Sequence, residues 1–78
     1  MDLGLIREHL ALAIRHVEKG EARVSRQREL AAELRRDGHD AHEAEQLLHQ
    51  FEELQAMFMA DRKRIEVELE ECLTRKSP

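Results

Sequence analysis

Aromatic residues are scarce in this chain of 78 residues, which has no tryptophan, no tyrosine and only two phenylalanines. Surfaces that bind single-stranded nucleic acid usually stack bases on aromatic rings, so this scarcity argues against such a surface. The residues that dominate instead are Leu, Ala, Glu, Arg and Gln, a composition typical of long helices and coiled coils.

Cysteine and long apolar runs are equally scarce. Cys72 is the only cysteine, so no disulfide can form within the chain, and we expect a reducing, cytoplasmic setting. The first residues lack the basic and apolar regions of a signal peptide. No apolar run approaches the roughly 20 residues that span a bilayer, so we also expect a soluble protein without a membrane partner.

The short length predicts a marginal core. Chains of this size bury only about 60% of their unfolded surface, and small proteins usually compensate with disulfides, a bound metal or oligomerisation. Charged residues make up 38% of the chain but leave a net charge of only -4. The regularly spaced apolar residues among these charges argue against disorder of the whole chain.

The middle of the chain carries a helix stop followed at once by a helix start. Gly38 can adopt the left-handed conformation that closes a helix, and Asp40 with Glu43 three residues later resembles an N-cap with a capping box. Each flank is a proline-free segment with apolar residues at helical spacing. The sequence therefore predicts an all-α antiparallel two-helix hairpin that resembles a coiled coil. Its expected parts are a first helix over residues 3–37, a turn over 38–40, a second helix over 41–74 and a loose tail over 75–78.

Each predicted helix has a stripe of mostly apolar residues at alternating steps of three and four, the heptad spacing that keeps one side facing a partner. Gly20 and Gln27 interrupt the first stripe, whereas Asp61 and Glu68 interrupt the second. The first stripe consists of Leu3, Ile6, Leu10, Ala13, Val17, Gly20, Val24, Gln27, Ala31 and Leu34. The second consists of Ala44, Leu47, Phe51, Leu54, Phe58, Asp61, Ile65, Glu68 and Cys72.

A fold at residue 39 predicts the register of the two helices. It places Gly20 opposite Phe58 and Ala13 opposite Ile65, so small residues face large ones as close packing requires. It also sets a mostly basic stretch of the first helix beside an acidic stretch of the second, and this sign pattern favours antiparallel pairing. Two interpretations of Gly20 stay open: it makes room for the Phe58 ring, or it marks a bend or weak point in the first helix.

Both helices also carry apolar residues beyond these stripes, more than two helices alone can cover. Pairing two hairpins into a four-helix bundle would cover most of them and would compensate for the small core. A homodimer is the simplest closed assembly, and a docking surface for another protein is the alternative. The predicted interface residues are Leu5, Leu12, Ile14, Leu30, Leu48, Met57, Met59, Leu69 and Leu73.

Histidine is frequent, with five residues in the chain. The predicted register puts His9 beside Glu68 and His16 beside Asp61. The two histidines are seven residues apart on one side of the first helix, and the two acidic residues are seven apart on one side of the second. Each pair could form a polar layer that fixes the register, or could bind a divalent cation with further ligands from a second chain. The layers would lie about 10 Å apart, so one ion could not use all four side chains. We favour the polar layers and expect no metal and no cofactor.

Motifs of catalysis and of phosphate binding are missing from the sequence. It has no glycine-rich phosphate loop, no GxSxG motif and no zinc-type pair of cysteines. A two-helix hairpin also has no deep cleft from which water is excluded. The arginines of the first helix could contact phosphate backbones, but acidic residues lie between them and the net charge is negative. We therefore expect a protein that is not an enzyme, and for the arginines we favour a solvated, salt-bridged face over contact with nucleic acid.

Several segments carry a resemblance to a family: Val24 to Leu30, Asp37 to Asp40, Ala44 to Leu48, Phe51 to Gln55, and Asp61 with Arg62. They resemble a group of small alphaproteobacterial proteins of unknown function, many of them rhizobial, that form helical hairpins. The resemblance extends over residues 9–69. It implies a bacterial, cytoplasmic setting and supplies no activity and no site residues.

The sequence thus favours a protein–protein interaction or adaptor protein that acts as a homo-oligomeric helical bundle. Two alternatives stay open: a small metal-binding or metal-responsive protein that uses histidines and carboxylates, and a regulator associated with nucleic acid. Stabilisation by zinc would favour the first alternative, and steeply salt-dependent binding of DNA would favour the second.

Overall fold

The computed structural model describes residues 2–75 as two long helices joined by a tight turn. Helix α1 spans Leu3–Arg36 and helix α2 spans His42–Arg75. The helices pack against each other, and residues 2–75 contain no strand, so the predicted all-α two-helix hairpin is confirmed. The molecule is a narrow rod of 64 × 14 × 14 Å.

The helix ends lie within one residue of the positions expected from the sequence. The first helix ends at Arg36 rather than 37, and the second runs from His42 to Arg75 rather than from 41 to 74. Arg75, expected in the tail, is therefore the last residue of α2. The remaining tail residues, 76–78, lie outside the described part of the chain.

The turn begins with a glycine cap at the end of α1. Gly38 has a φ of 79°, in the left-handed region that glycine adopts without strain. Its N–H donates to the Arg35 carbonyl at 3.2 Å, and the N–H of His39 donates to the Leu34 carbonyl at 2.8 Å. This pair of bonds is the Schellman arrangement, which satisfies the last carbonyl groups of a helix. The expected role of Gly38 as a helix stop is therefore confirmed.

The second helix begins with an aspartate cap. The Asp40 carboxylate accepts a hydrogen bond from the N–H of His42 at 3.0 Å, which satisfies one of the free donors at the helix start. Ala41 lies buried between the cap and the helix. Glu43 and Glu45 put negative charge in the first turn of α2, where the helix dipole favours it. The chain therefore reverses direction within a few residues, all of which have a capping or packing role.

The buried residues of α1 follow the predicted stripe. They are Ile6, Ala13, Val17, Gly20, Val24, Gln27 and Ala31. In α2 only Ile65 is buried to the same degree, and the large side chains Phe51 and Phe58 stay half-exposed. The core is therefore a single line of contacts along the rod.

The stripe of α2 differs from the predicted one. Leu69 packs against the cluster of Ile6, Ala13 and Ile65, whereas Leu47, expected in the stripe, is 39% exposed. Leu48 is half-buried. Apolar residues occupy two adjacent lines of α2, and heptad spacing alone could not decide which line faces α1. Leu69, predicted to lie off the stripe, therefore belongs to the contact between the helices.

The predicted register of the two helices is confirmed. Ala13 and Ile65 lie in one cluster, and the Cδ2 atom of Phe58 lies 3.4 Å from the position that a Cβ atom would take at Gly20. That same Cβ atom would overlap Oε1 of Gln55 and lie 2.9 Å from its Cδ atom. Gly20 therefore makes room for a partner across the contact, mainly the Gln55 amide, with the Phe58 ring beside it.

Two glutamine side chains cross the contact in opposite directions. Gln27 of α1 donates from Nε2 to the Ala44 carbonyl at 3.0 Å, and Gln55 of α2 donates from Nε2 to the Val17 carbonyl at 2.9 Å. A carbonyl group has two lone pairs, so each can accept this bond in addition to a helical one. A shift of one helix along the other would break both bonds. The two amides therefore fix the register.

Replacement of Gly38 by alanine is expected to lower the free energy of unfolding by about 1–2 kcal/mol, because the Cβ atom disfavours the left-handed conformation. Chemical denaturation measures the change. Gly4→Ala is the matched control, since a Cβ atom there would lie 3.6 Å from the Asp2 carboxylate, an ordinary contact distance. Equal effects of the two replacements would contradict the proposed role of Gly38.

The effect of Gly20→Ala on the free energy of unfolding is expected to change sign with the residue at position 55. With Gln55 in place, the displaced amide loses its bond to Val17, which costs about 1–3 kcal/mol and outweighs the better helix propensity of alanine. In a Gln55→Ala background the same replacement should stabilise the protein by about 1 kcal/mol. Denaturation of the two single variants and the double variant measures this coupling. If Gly20→Ala stabilised both backgrounds equally, Gly20 would be a plain weak point in α1.

Candidate interaction surface

Large apolar side chains remain exposed along the whole rod. They are Leu5, Leu12, Leu30, Leu47, Met57, Met59, Val67 and Leu73. Most residues of the predicted interface are among them, while Ile14 is half-buried. Sequence reasoning missed Leu47, which it put in the stripe, and Val67, which it did not single out.

One flank of the rod, which we call the ion-pair side, is bridged by charges near the turn. Arg28 pairs with Glu52 at 3.4 Å, and Arg35 pairs with Glu45. Residues at seven-residue steps from these four share the same flank. Ile14, Met59 and Leu73 therefore lie on the ion-pair side.

The opposite flank, which we call the groove side, carries an open groove of about 640 Å³ halfway along the rod. Its lining includes His16, Leu54, Met57, Phe58 and Asp61. The rings of His16 and Phe58 lie with their centroids 5.2 Å apart and tilted by 34°. Most of the lining is therefore apolar, with a few polar groups at the edges.

Residues that are seven positions from those of the groove lie on the same flank, so the groove side continues toward both ends of the rod. Arg23 lies seven residues from His16, with its guanidinium 5.6 Å from the centre of the Phe51 ring, a distance at which cation–π attraction operates. Leu30 follows Arg23 by seven residues and Leu47 precedes Leu54 by seven. The outer edge of this side along α1 holds Leu5, Leu12, Lys19 and Arg26, which are also seven residues apart.

The four candidate metal ligands do not form one site. His16 and Asp61 line the same groove, but the Asp61 carboxylate accepts a hydrogen bond from Arg64, and His16 lies against Phe58. Within residues 2–75, His16 and Asp61 share no hydrogen bond, and no group of three or more His, Cys, Asp or Glu side chains is close enough to hold a metal ion. His9 and Glu68 lie about two turns away along the helices, as the seven-residue spacing requires.

The groove contains one ion pair, between Arg64 and Asp61. The hydrogen bond that Arg64 donates to Asp61 and the negative charge of Asp61 raise the pKa of the Arg64 guanidinium, and the charge of Glu68 adds to this effect. Asp61 is therefore held by a cation of its own helix, three residues away. A metal ion at this position would have to displace that cation.

Comparisons with protein-family models, with curated proteins and with solved structures found no match for this chain. Within residues 2–75, neither helix is long and apolar enough to cross a membrane. The surface itself is therefore the basis for an inference about function.

Zinc is expected to leave the melting temperature of the protein unchanged, because binding would have to displace Arg64 from Asp61 and His16 from Phe58. A ligand that binds only the folded chain stabilises it by about 2.7 kcal/mol at a hundred times its Kd. Thermal unfolding with zinc and with a chelator tests this expectation. A zinc-dependent rise that is lost in both His16→Ala and Asp61→Asn would favour the metal-binding alternative instead.

Proposed function

We propose that this chain is a protein–protein interaction or adaptor module without catalytic activity, and that it acts as a homodimer of helical hairpins. The observation that carries the proposal is the set of exposed apolar side chains on both flanks of a rod only 14 Å thick. Contiguous apolar surface of this kind usually marks an interface in a soluble protein.

The shape of the rod supports the proposal of a partner. Each helix buries one stripe against the other, so residues on the flanks, such as Met57 at 66% exposure and Met59 at 56%, have no neighbour helix to cover them. A second pair of helices would cover one flank and give a four-helix bundle. The marginal core of a chain this short makes such additional burial valuable.

The dimensions of the rod suit a second copy. Specific interfaces bury about 800 Å² on each partner, and a flank of 64 × 14 Å provides an area of that order. A twofold dimer uses the same surface on both copies and needs no other component. The resemblance over residues 9–69 supports a bacterial, cytoplasmic setting as part of this proposal.

Sedimentation equilibrium at micromolar concentration is expected to give twice the chain mass, and the melting temperature should rise with protein concentration. Combined replacement Leu12→Gln and Leu30→Gln should shift the protein toward the monomer mass, since glutamine removes apolar surface but keeps a similar helix propensity. The matched control is Ala22→Gln at an exposed position of α1, which should leave the mass unchanged.

A stable, fully helical monomer at these concentrations would overturn the homodimer. The exposed residues would then remain as a docking surface for a different protein. Circular dichroism of each variant is needed beside the mass, because loss of helix would indicate unfolding of the hairpin rather than dissociation of a dimer.

A further inference from the structure

We propose that the second copy packs on the groove side, with α1 of each hairpin against α2 of its partner and with both turns at the same end of the bundle. This inference rests on the homodimer proposed above. It specifies which flank contacts the partner and how the two rods are oriented relative to each other.

The groove side exposes more large apolar side chains than the ion-pair side, which favours it as the surface that the second copy covers. The exposed apolar residues of the groove side are Leu5, Leu12, Leu30, Leu47 and Met57. Those of the ion-pair side are Met59 and Leu73, with Ile14 half-buried and Val67 beside Leu73 in the lining of one depression. The first set also runs from the free end of the rod to the turn, so a partner on the groove side covers apolar surface along its whole length.

The charges of the ion-pair side oppose its burial. The pairs Arg28–Glu52 and Arg35–Glu45 already bridge the two helices there and are well exposed to water. Covering them would remove paired charges from solvent, and the desolvation cost can exceed what their attraction returns. The groove side holds one ion pair, Arg64–Asp61, within a single helix, and its Lys19 makes no ion pair within residues 2–75 and remains available to a partner.

The groove side is also complementary to itself. A twofold interface brings one surface against its own copy, so that surface must hold both members of every favourable pair. The α1 edge of the groove side is net basic, with Lys19, Arg23 and Arg26 against Glu33. The α2 edge is net acidic, with Asp61 and Glu68 against Arg64, which pairs with Asp61. A copy that sets its α2 edge against the α1 edge therefore matches opposite charges.

Orientation follows from the same charges. With both turns at one end, Leu30 lies level with the partner's Leu47, and Lys19 lies level with the partner's Asp61. With the rods reversed and fully overlapped, α1 would instead lie along the partner's α1. Lys19, near the middle of Leu3–Arg36, would then meet the partner's Lys19. Like charges in contact disfavour that arrangement.

Protection of single cysteines from alkylation tests which flank is covered. Met57→Cys on the groove side and Met59→Cys on the ion-pair side are matched, since both positions are exposed methionines of α2. Each is made in a Cys72→Ser background. We expect alkylation of the Met57→Cys thiol to slow by about tenfold as protein concentration rises well above the dimer Kd, because only the monomer then reacts. The rate at Met59→Cys should stay constant.

Cross-linking between two different single-cysteine chains tests the orientation. Leu30→Cys chains are mixed with Leu47→Cys chains or with Leu5→Cys chains, again with Cys72→Ser, and treated with a short bis-maleimide. We expect the mixed product with Leu47→Cys and little with Leu5→Cys. Each chain has one cysteine, so no product can arise within a chain.

Contrary outcomes separate this inference from the proposed function. Protection of Met59→Cys instead of Met57→Cys, with the dimer mass retained, would overturn the choice of flank but keep the homodimer. Preferential cross-linking of Leu30→Cys to Leu5→Cys would overturn the orientation. Constant alkylation at both positions together with a monomer mass would overturn the homodimer itself.

Discussion

The contact between Gly20 and the amide of Gln55 sets how the two helices lie along each other. The missing side chain at Gly20 leaves the space through which Gln55 reaches the Val17 carbonyl. Gln27 makes the reciprocal bond to α2 further along. Because the side chains of each helix point in directions set by its period, fixing this one contact also fixes which residues reach the core and which remain on the flanks.

The use of amides at these positions has a cost as well as a benefit. Gln27 is buried, and Oε1 of Gln55 is buried without a hydrogen-bond partner in the described part of the chain. Apolar side chains there would give more favourable burial, but a line of purely aliphatic contacts slides easily between registers. A polar residue in a helix seam typically specifies register at the expense of stability. The hairpin thus gains a defined register while its core stays small, which makes additional burial by a partner more important.

The main architecture could be predicted from the sequence because its signals are local. Gly38 and Asp40 act through the backbone within a few residues. The stripe of α1 runs from Leu3 to Leu34, whereas apolar residues beside it, such as Leu5 and Leu12, cover only part of the helix. In α2, apolar residues stand on adjacent lines, as at Leu47 and Leu48, and only the packing of α1 decides which line turns inward. The partner of Gly20 was likewise only half predicted, since a long flexible side chain such as Gln55 can reach a position that periodicity assigns to Phe58.

The candidate surface depended on the same three-dimensional choice. Once the seam is fixed, seven-residue spacing divides the remaining residues between two flanks that the sequence could not distinguish. Their chemistry then differs for a physical reason: on one flank, arginines of α1 face glutamates of α2 and pair across the seam. On the other, His16 and Arg23 lie over phenylalanine rings, and Asp61 turns to Arg64. Charge is thus satisfied between the helices on the first flank, whereas on the second, Lys19 stays free of ion pairs within residues 2–75 and the leucines remain uncovered. The proposed second copy would gain most where apolar area and the charge of Lys19 have no neighbour within residues 2–75, and for this reason we assign it to the groove side.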